Sequence, residues 1–413
     1  MRCWIVTVGE PLPLDGDSAR LLRSGILASV LANRGHNVTW WTSTFDHWTK
    51  THRSDGHAQR RIAADYTLTL LRGCGYSRNV SIARIREHRQ VASAFASLAA
   101  QSEVPDLIVC SLPTLELAVQ AVRYGRKHGV PVVLDIRDMW PDAITRLVPK
   151  PLRVVGNIAV ARMRRMAREA CCGATAITGH APAFVEWGLR HAGRGRRAVD
   201  KDFAFGYSRR ILTEAEVISG TQFWNAQGLS KDPSVLQLVF AGTMSHSFEF
   251  EPLLKAAQRL TGIANFVICG AGDALTAVRR KSASLSNVIC PGWIGEVELT
   301  ALLARADIGL APYRDELDFR LTIPNKGPEY LASALPIALS LATGPLFDAI
   351  VAGRCGFSYE GSADLLVSRI TELFADRETL RQMSENARRV FDDRFRADVV
   401  YSEFADFLEQ LIG

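Results

Sequence analysis

Short apolar runs alternate with longer stretches of helical period along the whole chain. Residues Cys3–Val8, Val38–Ser43, Thr67–Leu71, Leu107–Ser111, Val132–Asp135 and Ala174–Thr178 are rich in Val, Ile, Leu and Trp and lack strict polar alternation. Such runs predict strands covered on both faces by helices. Between the first two, Leu22, Ile26 and Val30 recur every four residues. That spacing predicts a helix from about 18 to 34 with these three on one face. Asp17 or Ser18 would cap its start and Gly35 would end it. The plan repeats later, with strands predicted at Leu236–Ala241, Asn265–Cys269, Asn287–Cys290, Ile308–Ala311 and Pro336–Ser340. Strand–helix alternation of this kind predicts an α/β fold with a doubly wound parallel sheet in each half. The polar stretch Gly193–Lys201 reads as a loop, and Ser208–Gly228 as a helix leading into a second domain. The expected domains are therefore 1–207 and 208–394, with a last helix (about 395–413) packing back on the first. Two such sheets would face each other across a cleft, with ligand beyond their strand C-termini and anions favoured at helix starts.

Composition narrows the class. A chain of 413 residues accommodates two domains, and 47% hydrophobic with 22% charged residues excludes disorder, collagen and coiled coil. No run reaches the roughly 18 apolar residues of a spanning helix. Met1–Gly9 is too short an apolar stretch for a signal peptide and reads as a first buried strand. The eight cysteines include no Cys-x-x-Cys, and Cys171 and Cys172 are adjacent. That argues against a disulfide framework or a cysteine zinc site, and for a reduced, cytoplasmic setting. The net charge of +6 is unevenly spread: residues 1–210 hold 31 Lys and Arg against 17 Asp and Glu, the remainder 18 against 26. The basic half is expected to meet something anionic, such as a phospholipid surface or a phosphorylated lipid. Nucleic acid is disfavoured, because the basic residues are not interleaved with aromatics on a recognisable module.

Five loops carry candidate chemistry. The first, Gly9–Asp17, is not Gly-x-Gly-x-x-Gly, which counts against a nicotinamide or flavin enzyme. Its Asp15-Gly16-Asp17 matches an Asp-x-Asp metal grip, although a helix cap explains it better; no metal is expected. The second, Ala241-Gly242-Thr243-Met244-Ser245, ends a predicted strand at a glycine that permits close approach to the backbone. The third, Gly270-Ala271-Gly272-Asp273, also joins strand to helix and lacks the Lys-Ser/Thr of a P-loop. The fourth, Pro291-Gly292-Trp293-Ile294, can offer backbone atoms to a nucleotide base. The fifth runs from Phe319 to Ile337 and is the most informative. Lys326 at a helix start opposes the helix dipole, a conflict that a docked anion removes. Glu329 can accept two hydrogen bonds from a ribose diol.

Taken together these residues resemble the glycosyltransferases of the GT-B fold, and family 4 most. Arg34-Gly35-His36-Asn37-Val38 resembles that family's Arg-Gly-His-x-Val. Asp135-Ile136-Arg137-Asp138-Met139-Trp140-Pro141 resembles a motif of enzymes building bacterial cell-surface polysaccharides. Phe240-Ala241-Gly242, Gly270-Ala271-Gly272-Asp273, and Pro324-Asn325-Lys326 with Glu329-Tyr330-Leu331-Ala332 recur in the same order. The resemblance implies two Rossmann-like domains and a retaining transfer of a sugar from a nucleotide sugar, UDP-linked by expectation, to a hydroxyl acceptor on a sugar or lipid-linked precursor.

The same resemblance assigns roles. The second domain would bind the donor, with Glu329 on the ribose, Lys326 and amides near Gly242 on the diphosphate, and Trp293 and Ile294 flanking the base. Thr243, Gly270, Gly272 and Asn325 complete the donor set. The first domain would bind the acceptor, through Asp15, Arg137 and Asp138. Two departures stand out. Leu321 occupies a position where the family often has a second Glu, and Thr243-Met244-Ser245 follows Gly242 where Arg and Lys are common. Arg320 is the expected substitute cation, and Asp138 and His180 are the candidates for handling the acceptor proton. No cofactor is expected. The helix expected over Leu152–Arg168, with Arg153, Arg164, Arg165 and Arg168 on one side and Val154, Val155, Ile158, Val160 and Met166 as apolar surface, would either dock peripherally on the inner face of a membrane or be a core helix with a solvated outer face. The competing readings are a nucleotide-sugar 2-epimerase, a non-catalytic two-domain ligand-binding protein, and a catalytically silent partner subunit.

Overall fold

The computed structural model describes residues 1–16, 20–79, 81–142, 153–229 and 234–413, the side chains of 153–159 excepted. The expectations placed on Asp17, Ser18, Arg153, Val154, Val155 and Ile158 lie outside what it describes. The chain divides into one unit of Met1–Ala204 with Asp398–Gly413, and a second of Phe205–Ala397.

The first unit is built on an eight-stranded sheet. Its strands are β1 (Arg2–Val6), β2 (Asn37–Ser43), β3 (Ala58–Ala63), β4 (Tyr66–Leu71), β5 (Leu107–Leu112), β6 (Val132–Ile136), β7 (Ala176–Gly179) and β8 (Lys201–Asp202). They lie in the order β3-β4-β2-β1-β5-β6-β7-β8. All neighbours are parallel except β3 and β4. Every residue of β5 and β6 is buried, which explains their apolar runs without alternation. Trp4 of β1 packs 5.0 Å from Trp41, 6.1 Å from Phe95 and 5.0 Å from Tyr124. Phe95 and Tyr124 come from the helices α2 (Ile82–Ala99) and α3 (Leu115–His128). Strand β3 (Ala-Gln-Arg-Arg-Ile-Ala) escapes the apolar-run criterion because its antiparallel edge position leaves four of its six residues exposed.

The first helix, α1, spans Arg23–Asn33 and so begins later than its sequence pattern suggests. No side chain of its N-cap, Leu22, bonds the first turn. Instead the Glu10 carboxylate accepts the Ser24 amide at 3.0 Å, satisfying a helix-start donor from a distant loop. The face turned inward is also different. Leu22 is exposed and Ile26 and Val30 are half-buried, whereas Arg23, Leu27, Ala28 and Leu31 are buried. The pull on that face is an ion pair: Arg23 donates to Asp135 of β6 from Nε at 2.8 Å and Nη2 at 3.0 Å.

The helix Ala397–Ile412 belongs to the first unit. Arg34 reaches Asp406 at 2.6 Å and the Ser402 carbonyl at 3.0 Å. His36 Nε2 meets Glu409 at 2.7 Å, and Phe404 stacks 4.4 Å from Phe203. The Arg-Gly-His turn therefore fastens the chain's last helix. In the helix Arg153–Gly173, Val160 is buried, Met166 half-buried, and Arg164 pairs with Asp142 at 3.3 Å. These three face protein, so they supply no lipid-facing surface.

The second unit holds β9 (Leu236–Ala241), β10 (Ala264–Cys269), β11 (Val288–Gly292), β12 (Ile308–Ala311), β13 (Ile337–Leu339) and β14 (Gly356–Ser358). Their order is β11-β10-β9-β12-β13-β14, and all pairs are parallel. The helix at its start spans Glu214–Ala226 and is capped by Thr213 and Glu216 in a reciprocal box, shorter than the apolar pattern suggests because the cap sets the boundary. In each sheet the strand order reverses at the first strand, beside β1 and beside β9. Ligands of open α/β sheets sit beyond strand C-termini at such points. Among the described residues, no helix is long and apolar enough to cross a membrane.

Candidate functional site

At the reversal point of the second sheet three strand ends are laced together by their backbones. Gly242 donates to the Cys269 carbonyl at 3.0 Å, Met244 to Ala271 at 2.9 Å, and Gly270 to Gly292 at 2.7 Å. Gly242, Gly270 and Gly272 have φ of +145°, +146° and +145°, a region that side chains disfavour. A Cβ on Gly270 would run into the Gly242 carbonyl oxygen, and one on Gly272 would lie 2.5 Å from the Met244 oxygen. The three glycines thus form a bare backbone floor where β9 and β10 end. Gly270→Ala is expected to lower stability by about 2–4 kcal/mol, through positive φ and backbone overlap. A urea melt of the variant measures it, and a loss under 0.5 kcal/mol would mean the floor relaxes.

Lys326 lies over this floor. Its ammonium donates to the Ala241 carbonyl and sits 4.5 Å from the Phe240 ring centroid and 5.4 Å from that of Phe248. A Cβ at Gly242 would collide with it. Burial lowers its pKa to about 8, with Glu329 acting in the opposite direction. Among the described residues it makes no ion pair within 4 Å. The helix that it opens, Lys326–Ala332, is held by Tyr330, which is fully buried. The Tyr330 hydroxyl accepts the Ala241 amide at 3.3 Å and donates to the Leu310 carbonyl at 3.2 Å. The ring rests on Gly309, where a Cβ would not fit. Tyr330 therefore sets the height of Lys326 and Glu329 above β9 and β12. In the sequence Tyr330 stands as a member of the Glu329-Tyr330-Leu331-Ala332 motif, with no sign of what it touches.

Glu329 is half-buried and accepts from the Tyr207 hydroxyl at 3.4 Å. Tyr207 is supplied by the segment that enters the second unit, a long-range placement with no sequence signal. Asn325 and Thr243 are exposed, and Trp293 is 77% exposed with Ile294 half-buried behind it. Arg279 braces the Trp293 loop by donating to the Cys290 carbonyl at 3.2 Å and that of Pro291 at 2.6 Å. Arg320, expected as a substitute cation, is clasped through Nε and Nη2 by Asp315. Its charge is already matched, so among the described residues Lys326 is the cation the floor possesses.

The candidates of the first unit are engaged differently. Asp15 accepts from Arg53 Nε and Nη2, both at 2.6 Å, and from the Leu12 amide at 2.8 Å. Burial would raise its pKa, but these bonds outweigh it and hold it low. Asp15 thus ties two loops and presents no bare carboxylate to an acceptor. Arg137 points inward: Nε to Asp135 at 2.9 Å, Nη2 to the Ser24 hydroxyl at 2.9 Å, and Nη1 to Glu10. Asp135 is wholly buried and also accepts from Thr178 at 2.9 Å. Arg137 is part of this interior network, a correction to its expected acceptor contact. His180 is 6% exposed with its ring 3.9 Å from Phe184. Burial, then Arg23, pushes its pKa to about 3, and so weak a base is poorly matched to proton abstraction near pH 7. Asp138 is half-buried and remains the acidic candidate. Sequence reasoning missed a cavity in this unit lined by His47, Tyr76, Arg84 and His88.

Comparison with known proteins follows the same lines. The family model for glycosyl transferases group 1 matches residues 236–376, which hold the glycine floor, Lys326 and Glu329. No curated protein matches the sequence. Among solved structures, sucrose-phosphate synthase from Thermosynechococcus elongatus gives a TM-score of 0.69 at 14% identity, over 99% of this chain and 98% of that one. Anabaena HepE, solved in complex with UDP, gives 0.65 at 14% identity over 99% and 100%. The catalytic domain of starch synthase IV from Arabidopsis thaliana, bound to ADP and acarbose, gives 0.68 at 12% identity over 100% and 99%. These likenesses are of fold. A group 1 glycosyl transferase domain on the second sheet, in a chain whose Rossmann-like units have the GT-B fold, makes this protein a glycosyltransferase.

Proposed function

We propose that the enzyme is a retaining, family 4 type glycosyltransferase that moves a sugar from a UDP-sugar to a hydroxyl of a lipid-linked or polysaccharide precursor. The observation that carries this reading is the Lys326 ammonium over the floor of Gly242, Gly270 and Gly272 at the end of β9. A diphosphate fits there, because the glycines let it approach the backbone and the ammonium meets its charge. Glu329 takes the ribose hydroxyls, Trp293 and Ile294 flank the base, and Thr243 and Asn325 border the phosphates. As the anomeric bond breaks, charge grows on the leaving diphosphate, and a preplaced cation lowers the barrier without reorganisation. The reading needs no metal. With no carboxylate nucleophile assigned, attack comes from the face the diphosphate leaves, assisted by its oxygen. The first unit takes the acceptor, with Asp138 nearest in kind to a proton acceptor. The UDP and ADP complexes of the similar structures support a nucleoside diphosphate as the donor's leaving part.

A thermal-shift panel of UDP, ADP and GDP tests the assignment. UDP at about 100 times its Kd is expected to stabilise the chain by about 2.7 kcal/mol, equally with and without EDTA. Glu329→Ala is expected to weaken UDP binding by about 1–3 kcal/mol through lost charged hydrogen bonds. A chain indifferent to all three nucleotides, or a shift abolished by EDTA, would overturn the reading.

The basic first unit is read as the side that meets an anionic cytoplasmic membrane face, with Arg165 and Arg168 exposed on its helix. Flotation with phosphatidylglycerol vesicles is expected at low salt and lost at about 0.5 M salt. Flotation that ignores lipid charge would remove this part of the proposal.

A further inference from the structure

The cavity in the first unit is used by none of the roles above. It lies beyond the C-terminal ends of β1, β2 and β5 and measures about 190 Å3. Val8, Phe45, Val91 and Pro113 form its apolar wall, with His47 and Arg84 on its polar side. Tyr76 is the hub of that polar side. His47 Nδ1 lies 2.5 Å from its hydroxyl. The Lys50 ammonium sits 4.9 Å from its ring centroid and the Arg84 guanidinium 5.6 Å from it. Arg84 also lies 4.9 Å over the Trp140 ring.

Among the described residues, neither Lys50 nor Arg84 has a carboxylate oxygen within 4 Å. Asp46 acts on the Lys50 ammonium only from beyond ion-pair distance. Both cations lean on Asn79, Lys50 donating to its Oδ1 at 2.6 Å and Arg84 to its carbonyl at 2.9 Å. Arg84 Nε is shielded from solvent and has no hydrogen-bond partner among the described residues. The nearby acids are occupied. Asp46 binds Arg53 at 2.9 Å and the Trp48 and Thr49 amides. Glu87 accepts from the Ser43 hydroxyl at 2.8 Å and the Gly75 amide at 2.7 Å. Glu116 lies 3.9 Å from His88 Nδ1. The positive field is felt by the imidazoles. Burial, then Lys50 and Arg84, lowers the His47 pKa against the pull of Asp46. Burial, then Arg84 and His47, takes His88 to about 3.

We propose that Lys50 and Arg84, on Tyr76, hold the phosphate or diphosphate group of a phosphorylated acceptor at this cavity; as a statement about the acceptor, it rests on the transferase reading above. A phosphate supplies the negative charge that the pair lacks, and the guanidinium fork suits its oxygens. The carrier is a soluble sugar phosphate or a lipid diphosphate. Apolar side chains flanking the lining residues in sequence suit the latter: Trp48, 67% exposed, packs 5.5 Å from His47, and Ile82, at the start of α2 two residues before Arg84, is 85% exposed. The bound anion offsets Lys50 and Arg84 at His47, so binding takes up a proton there. Tyr76, Asp46, Glu87 and His88 are the other titratable groups around that ring.

Histidine NMR of the full chain tests the site, with His47 assigned from the His47→Asn spectrum. Inorganic pyrophosphate, or a polyprenyl diphosphate in detergent micelles, is titrated into the wild type, Lys50→Gln/Arg84→Gln and Lys326→Ala. The expected result is a saturable shift of the His47 signals and a raised His47 pKa in the wild type. The Kd rises at least tenfold in the double variant and is unchanged in Lys326→Ala. Should the double variant not fold, Lys50→Gln alone is expected to weaken binding at least threefold. Lipid bound tenfold tighter than pyrophosphate identifies a lipid carrier, and equal affinities a soluble one; either supports the site. An unmoved His47 signal, or a double variant that folds and binds like the wild type, overturns the proposal. If the only saturable pyrophosphate effect vanishes in Lys326→Ala, the proposal fails while the donor reading stands.

Discussion

Lys326→Ala is expected to lower kcat with a UDP-sugar by about 10²–10³-fold, the range lost when one preorganised stabiliser of a developing anion is removed. The ammonium is not a mobile surface charge. It is fixed by the Ala241 carbonyl and the Phe240 and Phe248 rings, in a place where Gly242 leaves it room. Water is scarce there, so its attraction for a leaving diphosphate exceeds that of an exposed lysine. Steady-state kinetics measures the effect, and wild-type kcat in the variant would remove Lys326 from that role. Protonation adds a second signature. The unliganded group titrates near 8, whereas a bound diphosphate favours the ammonium and raises that value. UDP binding therefore takes up a proton, and its Kd is expected to rise with pH above about 8. The folding effect has the opposite sense. Between about 8 and the unfolded value of 10.5 the unfolded chain holds more protons, so Lys326 makes stability rise with pH in that window and leaves it flat below.

Asp135→Ala is expected to destabilise the first unit by about 3–5 kcal/mol, the cost of stranding buried charge by deleting its partner. Asp135 is wholly buried and receives Arg23 twice, Arg137 and Thr178. Burial alone would depress the charged form of Arg23, yet the Asp135 carboxylate overcomes it and raises its pKa. Without Asp135, Arg23 (1% exposed at its side chain) and Arg137 lose their shared anion. Urea unfolding followed by the fluorescence of the first unit's tryptophans measures the loss. A change below 1 kcal/mol would show that Glu10 and water replace the carboxylate. Arg23→Met is expected to cost less than Asp135→Ala, since it leaves Asp135 bound to Arg137 and Thr178.

Much of the fold was legible along the chain, because a strand buried on both faces must be apolar throughout whatever surrounds it. The runs at 236–241 and 107–111 needed no other context. The elements that escaped are those whose environment is set elsewhere. β3 is polar because it is an edge. α1 turns Arg23 inward and leaves Leu22 out because Asp135, more than 100 residues away, supplies the matching charge. Its helix start is satisfied by Glu10 rather than by a local cap.

The site divides the same way. Gly242, Gly270 and Gly272 were visible as glycines at strand ends, and Lys326 and Glu329 as charges at a helix start, since positive φ and polar residues beside buried runs leave local marks. What they touch was not visible. That Lys326 bends back to Ala241, that Tyr330 carries its helix, that Tyr207 meets Glu329, that Arg320 is claimed by Asp315, that Arg137 turns to Asp135 and Glu10, and that His180 is buried are all facts of long-range pairing. A periodic pattern encodes which residues are buried or turned. The partner of a charge is chosen in three dimensions, where desolvation must be compensated by whichever opposite group the fold brings within reach.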